Sequence, residues 1–141
     1  TCMFTLPQVL AACSAFVVLF LGSAHLLYTF RGTKLHPRDH AVQLAMAGDS
    51  PVLTRQTTMW RAWIGFNASH SYGAMLFGLV YGYLALFQPA VLFGSLFLTA
   101  VALAFLAGLL VLAKAYWFSI PYRGILLASA LFVAALVLRQ F

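Results

Sequence analysis

Long apolar runs dominate the chain, and only short polar connections separate most of them. Four such runs occur, at about residues 6–30, 63–87, 90–113 and 120–138. A helix needs about 20 mainly apolar residues to cross about 30 Å of hydrocarbon, so each run can span a bilayer. The pattern predicts an all-α, polytopic integral membrane protein, folded as a single four-helix transmembrane bundle over residues 1–141.

The one sizeable polar segment, residues 31–62, contains two helix-start signals. Asp39 is expected to cap a short helix over residues 40–47. Ser50 followed by Pro51 has the pattern of an N-cap with proline at the first helical position. We therefore expect the second long helix to begin at Pro51 and to continue into the membrane.

Composition favours lipid as the solvent of these runs. The chain is 64% hydrophobic and 7% charged, whereas soluble domains are about 45–50% apolar and about 25% charged. Its net charge of +6 would suggest nucleic acid in a soluble protein, but here the basic residues flank apolar runs. Anionic headgroups and membrane topology explain that placement better. We expect membrane lipids, and not nucleic acid, as partners.

The basic residues also predict an orientation. Seven of the eight Lys and Arg residues lie in residues 31–62 or 114–123, and the eighth is Arg139. Short cytoplasmic loops are enriched in Lys and Arg. Both loops are therefore expected to be cytoplasmic, with the N and C termini outside.

Small residues on the second run predict close helix packing. They recur with four-residue spacing in two registers: Gly65, Ser69 and Gly73 in one, and Ala74, Gly78 and Gly82 in the other. Small residues let membrane helices approach closely. A helix with small residues on two of its faces is expected to have a neighbouring helix on each of these faces.

Polar residues within the apolar runs form a candidate site. The set comprises His25 and Thr29 on the first run and Asn67, Ser69, His70 and Ser71 on the second. Asn67, His70 and Ser71 share a face because they stand at i, i+3 and i+4. Counted from the loop between the runs, His25 and His70 differ in depth by only about 3 Å at 1.5 Å per residue. An antiparallel pairing of the two runs would bring the imidazoles together.

Three interpretations of this cluster remain open. It forms an interhelical hydrogen-bond network that fixes packing, or it lines a site for a lipid, quinone or isoprenoid headgroup, with His25 or His70 as acid–base. In the third, the two histidines are axial ligands of a b-type haem, or ligands of a metal. A headgroup site would use the basic and aromatic residues just below it: Arg55, Trp60, Arg61 and Trp63.

A longer string carries a family resemblance. The residues from Thr57 to Ser71, TTMWRAWIGFNASHS, follow Gly22-Ser23-Ala24-His25 and precede Tyr116-Trp117-Phe118. Together they resemble a family of small bacterial four-span membrane proteins that has no assigned function. The resemblance implies a four-span architecture in a bacterial cytoplasmic membrane, and it supplies no catalytic residue.

The function expected from the sequence is interaction. No hydrolase, phosphate-binding or zinc-protease motif occurs, whereas helix-packing surface is abundant. We expect an accessory or interaction subunit of a larger membrane complex, with other membrane subunits or further copies as partners. A headgroup site at the cytoplasmic interface and haem b held by His25 and His70 are the alternatives. Apart from that haem no cofactor is expected, and the sequence does not decide whether the protein is an enzyme.

Overall fold

The computed structural model describes residues 4–140, and within this range all regular secondary structure is helical. The helices are α1 (Leu6–Phe30), α2 (His40–Gly48), α3 (Met59–Phe87), α4 (Pro89–Gly94), α5 (Leu96–Tyr116) and α6 (Ser119–Leu138). The predicted all-α class is confirmed. Residues 1–3 and 141 of the predicted domain lie outside the described part.

Three helices of the described chain are long and apolar enough to cross a membrane. These are α1, α5 and α6, with mean hydropathies of 2.1, 2.7 and 1.9. Lengths of 20 to 25 residues match the thickness of a hydrocarbon core. The protein is therefore membrane-integral. At 29 residues α3 is longer than any of them, but polar side chains interrupt its first half.

The start of α3 corrects one prediction. The helix begins at Met59 and not at Pro51. After Pro51 the chain makes a turn, in which the Thr54 N–H donates to the Pro51 carbonyl at 3.1 Å. The Arg61 N–H donates to the Thr58 hydroxyl at 3.3 Å, so Thr58 caps the helix instead. Serine and proline also favour turns, and here the turn replaces the predicted helix start.

The third predicted run also needs correction, because it is not one helix from residue 90 to 113. Helix α4 ends at Gly94, and Ser95 is extended with φ −101° and ψ 110°. The Ser95 hydroxyl accepts from the Leu98 N–H at 3.2 Å, so Ser95 caps α5. A serine within an apolar run is a cap signal, and it ends α4 here.

Helix α2 shows the predicted cap. The Ala41 N–H donates to Asp39 Oδ1 at 2.9 Å, and the helix runs to Gly48. At its other end the Asp49 N–H donates to the Ala45 carbonyl, and Asp49 Oδ1 accepts from the Ser50 N–H at 2.8 Å. Both acidic residues of the chain therefore stabilise the ends of α2 or the turn after it.

The described chain divides into two compact units. The first combines the chain up to Leu21 with the chain from Ala74 onward, and the second is Gly22–Gly73. The first unit holds the hydrophobic core, in which Phe132 is 1% exposed and the rings of Phe77 and Phe105 stack at 4.5 Å. The candidate polar cluster lies in the second unit.

Two hydrogen bonds from side chain to backbone join helices in the first unit. The buried Ser14 hydroxyl on α1 donates to the Ala128 carbonyl on α6 at 2.7 Å. The Tyr81 hydroxyl on α3 donates to the Leu98 carbonyl on α5 at 2.8 Å. Neither Ser14 nor Tyr81 is among the candidate residues predicted from the sequence. Their signal is a lone hydroxyl in an apolar helix, which in lipid must find a partner.

One small-residue register of α3 lies against α1 within the first unit. A Cβ atom placed on Gly78 would lie 2.6 Å from the Leu19 Cβ and 2.8 Å from the Ala15 carbonyl oxygen. On Gly82 it would lie 3.7 Å from the Ala15 Cβ, an ordinary contact. Ala74, in the same register, is 6% exposed. Within this register, α3 therefore packs most tightly against α1 at Gly78.

Candidate functional site

The polar cluster centres on a hydrogen bond between α1 and α3. His25 Nε2 lies 2.9 Å from Asn67 Oδ1. The His25 and His70 rings meet edge to face, with centroids 5.5 Å apart and planes at 84°. Of the six predicted residues, these three are brought together across the two helices.

The hydrogen bonds assign the proton in this pair. Asn67 Nδ2 donates to the Trp63 carbonyl at 2.8 Å, one turn earlier on α3. That bond fixes the side-chain amide, so its oxygen faces His25. An amide oxygen only accepts, and therefore His25 Nε2 carries the hydrogen and donates it to Asn67.

The three hydroxyls of the cluster are bonded within their own helices. Thr29 donates to the His25 carbonyl at 2.8 Å, Ser69 to the Gly65 carbonyl at 2.8 Å, and Ser71 to the Asn67 carbonyl at 3.0 Å. Thr29 and Ser71 are 4% and 0% exposed, and Ser69 is exposed. These bonds satisfy the hydroxyls without linking one helix to another.

Two of the predicted headgroup residues, Trp60 and Trp63, contact the loop after α1. The Trp63 indole N–H donates to the Leu35 carbonyl at 3.0 Å, and the Trp60 ring meets the His36 ring edge to face at 4.9 Å. The tryptophans thus hold the loop after α1 against the start of α3. Arg55 and Arg61 are exposed.

A shallow apolar depression lies beside Trp63. It has a volume of about 250 Å³ and is lined by Leu35, His36, Pro37, Met46 and Trp63. His25, Asn67 and His70 are not among its lining residues. The polar cluster and the depression are therefore separate features of this unit.

The polar cluster offers two imidazole rings to a metal or a haem, those of His25 and His70. The described residues contain no group of three or more His, Cys, Asp or Glu side chains that could hold a metal. Axial haem ligation needs an imidazole nitrogen with a free lone pair. When His25 Nε2 donates its hydrogen to Asn67, the lone pair of the ring is on Nδ1, so haem ligation by His25 would use Nδ1. The His25–Asn67 pair has the geometry of an interhelical hydrogen bond.

The second small-residue register of α3 has no neighbour in the described structure. Gly65, Ser69 and Gly73 are all exposed. A Cβ atom placed on Gly65 or Gly73 would have nothing within 4 Å. This exposed face extends over two turns of the helix, about 12 Å at 1.5 Å per residue.

The hydrogen bond between His25 and Asn67 joins α1 to α3 and orients both side chains. Comparison with protein-family models, with curated proteins and with solved structures gives no match for this chain.

Proposed function

We propose that this protein is a four-span accessory subunit of a larger membrane complex, and that it binds a helix of another subunit through the exposed face of α3. The observation that carries the proposal is the face formed by Gly65, Ser69 and Gly73, which is small, exposed and without a neighbour at either glycine. The other small register of the same helix packs against α1.

The polar residues of α3 are compatible with a fourth crossing. In hydrocarbon, polar groups must be satisfied within the protein. Asn67 bonds both the Trp63 carbonyl and His25, while Ser69 and Ser71 donate to carbonyls one turn earlier. These three polar side chains of α3 are thus already paired, and its 29 residues exceed the length that a crossing needs.

The exposed face has the properties that drive association in lipid. Apolar side chains gain little by leaving lipid for a neighbouring helix. Whether two membrane helices associate therefore depends on close backbone approach and van der Waals contact. Residues at four-residue spacing lie one above the other and form a groove for a partner backbone. Exposed large side chains such as Phe66 and Tyr72, which are 77% and 66% exposed, flank the groove. The occupant is an apolar helix with its own small-residue face.

The proposed location is a bacterial cytoplasmic membrane. With four crossings, residues 31–62 and 114–123 share the cytoplasmic side, together with seven of the eight basic residues. That distribution follows the positive-inside rule. The resemblance to small bacterial four-span proteins supports the same placement.

Substitution of the exposed glycines tests the proposal. We expect Gly65→Leu with Gly73→Leu to reduce the complexed fraction about tenfold, because two bulky side chains prevent close approach at a cost of about 1.4 kcal/mol or more. The measurement is native mass spectrometry of the protein released gently from its own membranes. Gly108→Leu is the matched control, since Gly108 is also exposed on an apolar helix with nothing within 4 Å.

Three outcomes are distinguishable. A complex of fixed stoichiometry with a second subunit, lost in the double variant and kept in the control, supports the proposal. Assemblies that contain only copies of this chain would show that the exposed face serves self-association and not binding to a different subunit. A wild-type protein that is always monomeric would contradict both.

A further inference from the structure

A second cleft lies at the junction of α5 and α6. It has a volume of about 230 Å³ and is lined by Ala113, Lys114, Trp117, Phe118, Ser119 and Tyr122. The sequence predicts a short cytoplasmic loop at residues 114–123, and Tyr116-Trp117-Phe118 contribute to the family resemblance, but it predicts no binding site here. All six residues belong to the first unit.

The position of the cleft places it at a membrane boundary. Helices α5 and α6 are both long and apolar enough to cross a bilayer, and only residues 117 and 118 connect them. Two crossing helices joined so tightly must turn where hydrocarbon meets water. Trp117 and Tyr122 suit that level, because amphipathic aromatic rings concentrate at membrane interfaces.

The cations at this junction have no acidic side chain within their own unit. The first unit contains no Asp or Glu, because the only two acidic residues of the chain are Asp39 and Asp49. Both are engaged at the ends of α2. Lys114 lines the cleft, and Arg123 lies one turn after Ser119 on α6. Within the first unit, no acidic side chain provides a counter-charge for this pair, and an anionic ligand would provide one.

The walls of the cleft indicate which anion would be held. Ala113, Trp117 and Phe118 are apolar, whereas Lys114 and the Ser119 hydroxyl are hydrogen-bond donors. A free phosphate would use the donors alone. A phospholipid would use the donors for its phosphate and the apolar wall for its glycerol backbone and the top of its acyl chains.

We propose that this cleft binds one anionic phospholipid, with the phosphate at Lys114 and Ser119 and the upper acyl chain along Trp117 and Phe118. The uncompensated positive charge of the junction selects an anionic headgroup over a zwitterionic one. The binding is independent of the partner helix proposed for α3.

Tryptophan quenching in the full chain tests this site. In a Trp60→Phe and Trp63→Phe background, Trp117 is the remaining tryptophan of the three. The protein in detergent micelles is titrated with phosphatidylglycerol or phosphatidylcholine brominated on the upper acyl carbons. We expect phosphatidylglycerol to quench at lower mole fraction, and Lys114→Ala to weaken that preference about fivefold.

Matched variants distinguish lipid binding at this cleft from a general effect of the protein's positive charge on lipid preference. Lys114→Arg should keep the preference, and Arg139→Ala, at the other end of α6, should not change it. Equal quenching by the two lipids, or an Arg139→Ala effect as large as that of Lys114→Ala, would overturn the proposal. Displacement of the lipid by excess inorganic phosphate would overturn it in favour of a free-phosphate site. Circular dichroism and monodisperse elution check that each variant is folded.

Discussion

At the scale of single residues, the His25–Asn67 bond is the part of the candidate site that can be tested most directly. Interhelical hydrogen bonds in membrane proteins contribute about 0.6 kcal/mol on average, with a maximum near 1.7 kcal/mol. In a double-mutant cycle of His25→Ala and Asn67→Ala, we expect a coupling of about 0.6–1.7 kcal/mol in the free energy of unfolding. Reversible unfolding in mixed micelles measures it.

A hydroxyl on the same helix provides the control for this cycle. Ser69 is exposed and donates to the Gly65 carbonyl of its own helix. Ser69→Ala should therefore change stability little and should show no coupling to His25→Ala. If His25→Ala and Asn67→Ala were simply additive, the bond would not hold α1 and α3 together.

The sequence could predict much of this cluster but not its bonding. The i, i+3, i+4 spacing predicts that Asn67 and His70 share a face, and equal depth predicts that both lie level with His25. The sequence does not give the rotation of a helix about its own axis. That rotation decides that Asn67 accepts the hydrogen from His25, while the His70 ring meets the His25 ring edge to face.

At the scale of helices, the close packing of α3 against α1 in the first unit depends on Gly78. An added methyl group there would lie 2.8 Å from the Ala15 carbonyl oxygen, a backbone atom that moves only with its helix. Gly78→Ala should destabilise the protein by about 1–3 kcal/mol through overpacking, although alanine favours a helix by about 1 kcal/mol over glycine. Thermal unfolding in a single detergent measures the change.

Two other glycines calibrate that measurement. At Gly82 the new Cβ would have an ordinary contact of 3.7 Å, and at Gly108 it would have none within 4 Å. Both alanine variants should be neutral or slightly stabilising, because only the helix preference remains. A Gly78→Ala protein as stable as these two would show that α1 and α3 are not held in close contact there.

Helix positions were easier to predict than helix starts. The bounds of α1 and α6 follow from long apolar runs, since periodicity and length act over many residues. A start depends on one cap, and several residues compete for that role. Ser50 and Pro51 favour a turn as well as a helix start, Thr58 provides the cap that α3 uses, and Ser95 divides a run that looks continuous.

At the scale of the whole molecule, the number of crossings determines where the positive charge lies. With four crossings, seven of the eight basic residues share one side, whereas exclusion of α3 from the membrane would separate Lys114 and Arg123 from the five in residues 31–61. The positive-inside rule favours the first arrangement. The internal pairing of Asn67, Ser69 and Ser71 lowers the energetic cost of placing α3 in hydrocarbon.

Single-cysteine labelling distinguishes the two arrangements. With Cys2 and Cys13 replaced by Ser, one cysteine is placed at Val52, which is fully exposed in the turn before α3, or at Phe118, 69% exposed between α5 and α6. A membrane-impermeant maleimide is then applied to vesicles of known orientation. If α3 crosses, Val52→Cys and Phe118→Cys react from the same side, because two helical crossings lie between them. If α3 stays out of the bilayer, only α5 separates the two positions, and they react from opposite sides.

Gln88→Cys, exposed after α3, adds an internal check. It should react from the side opposite Val52→Cys in the first case and from the same side in the second.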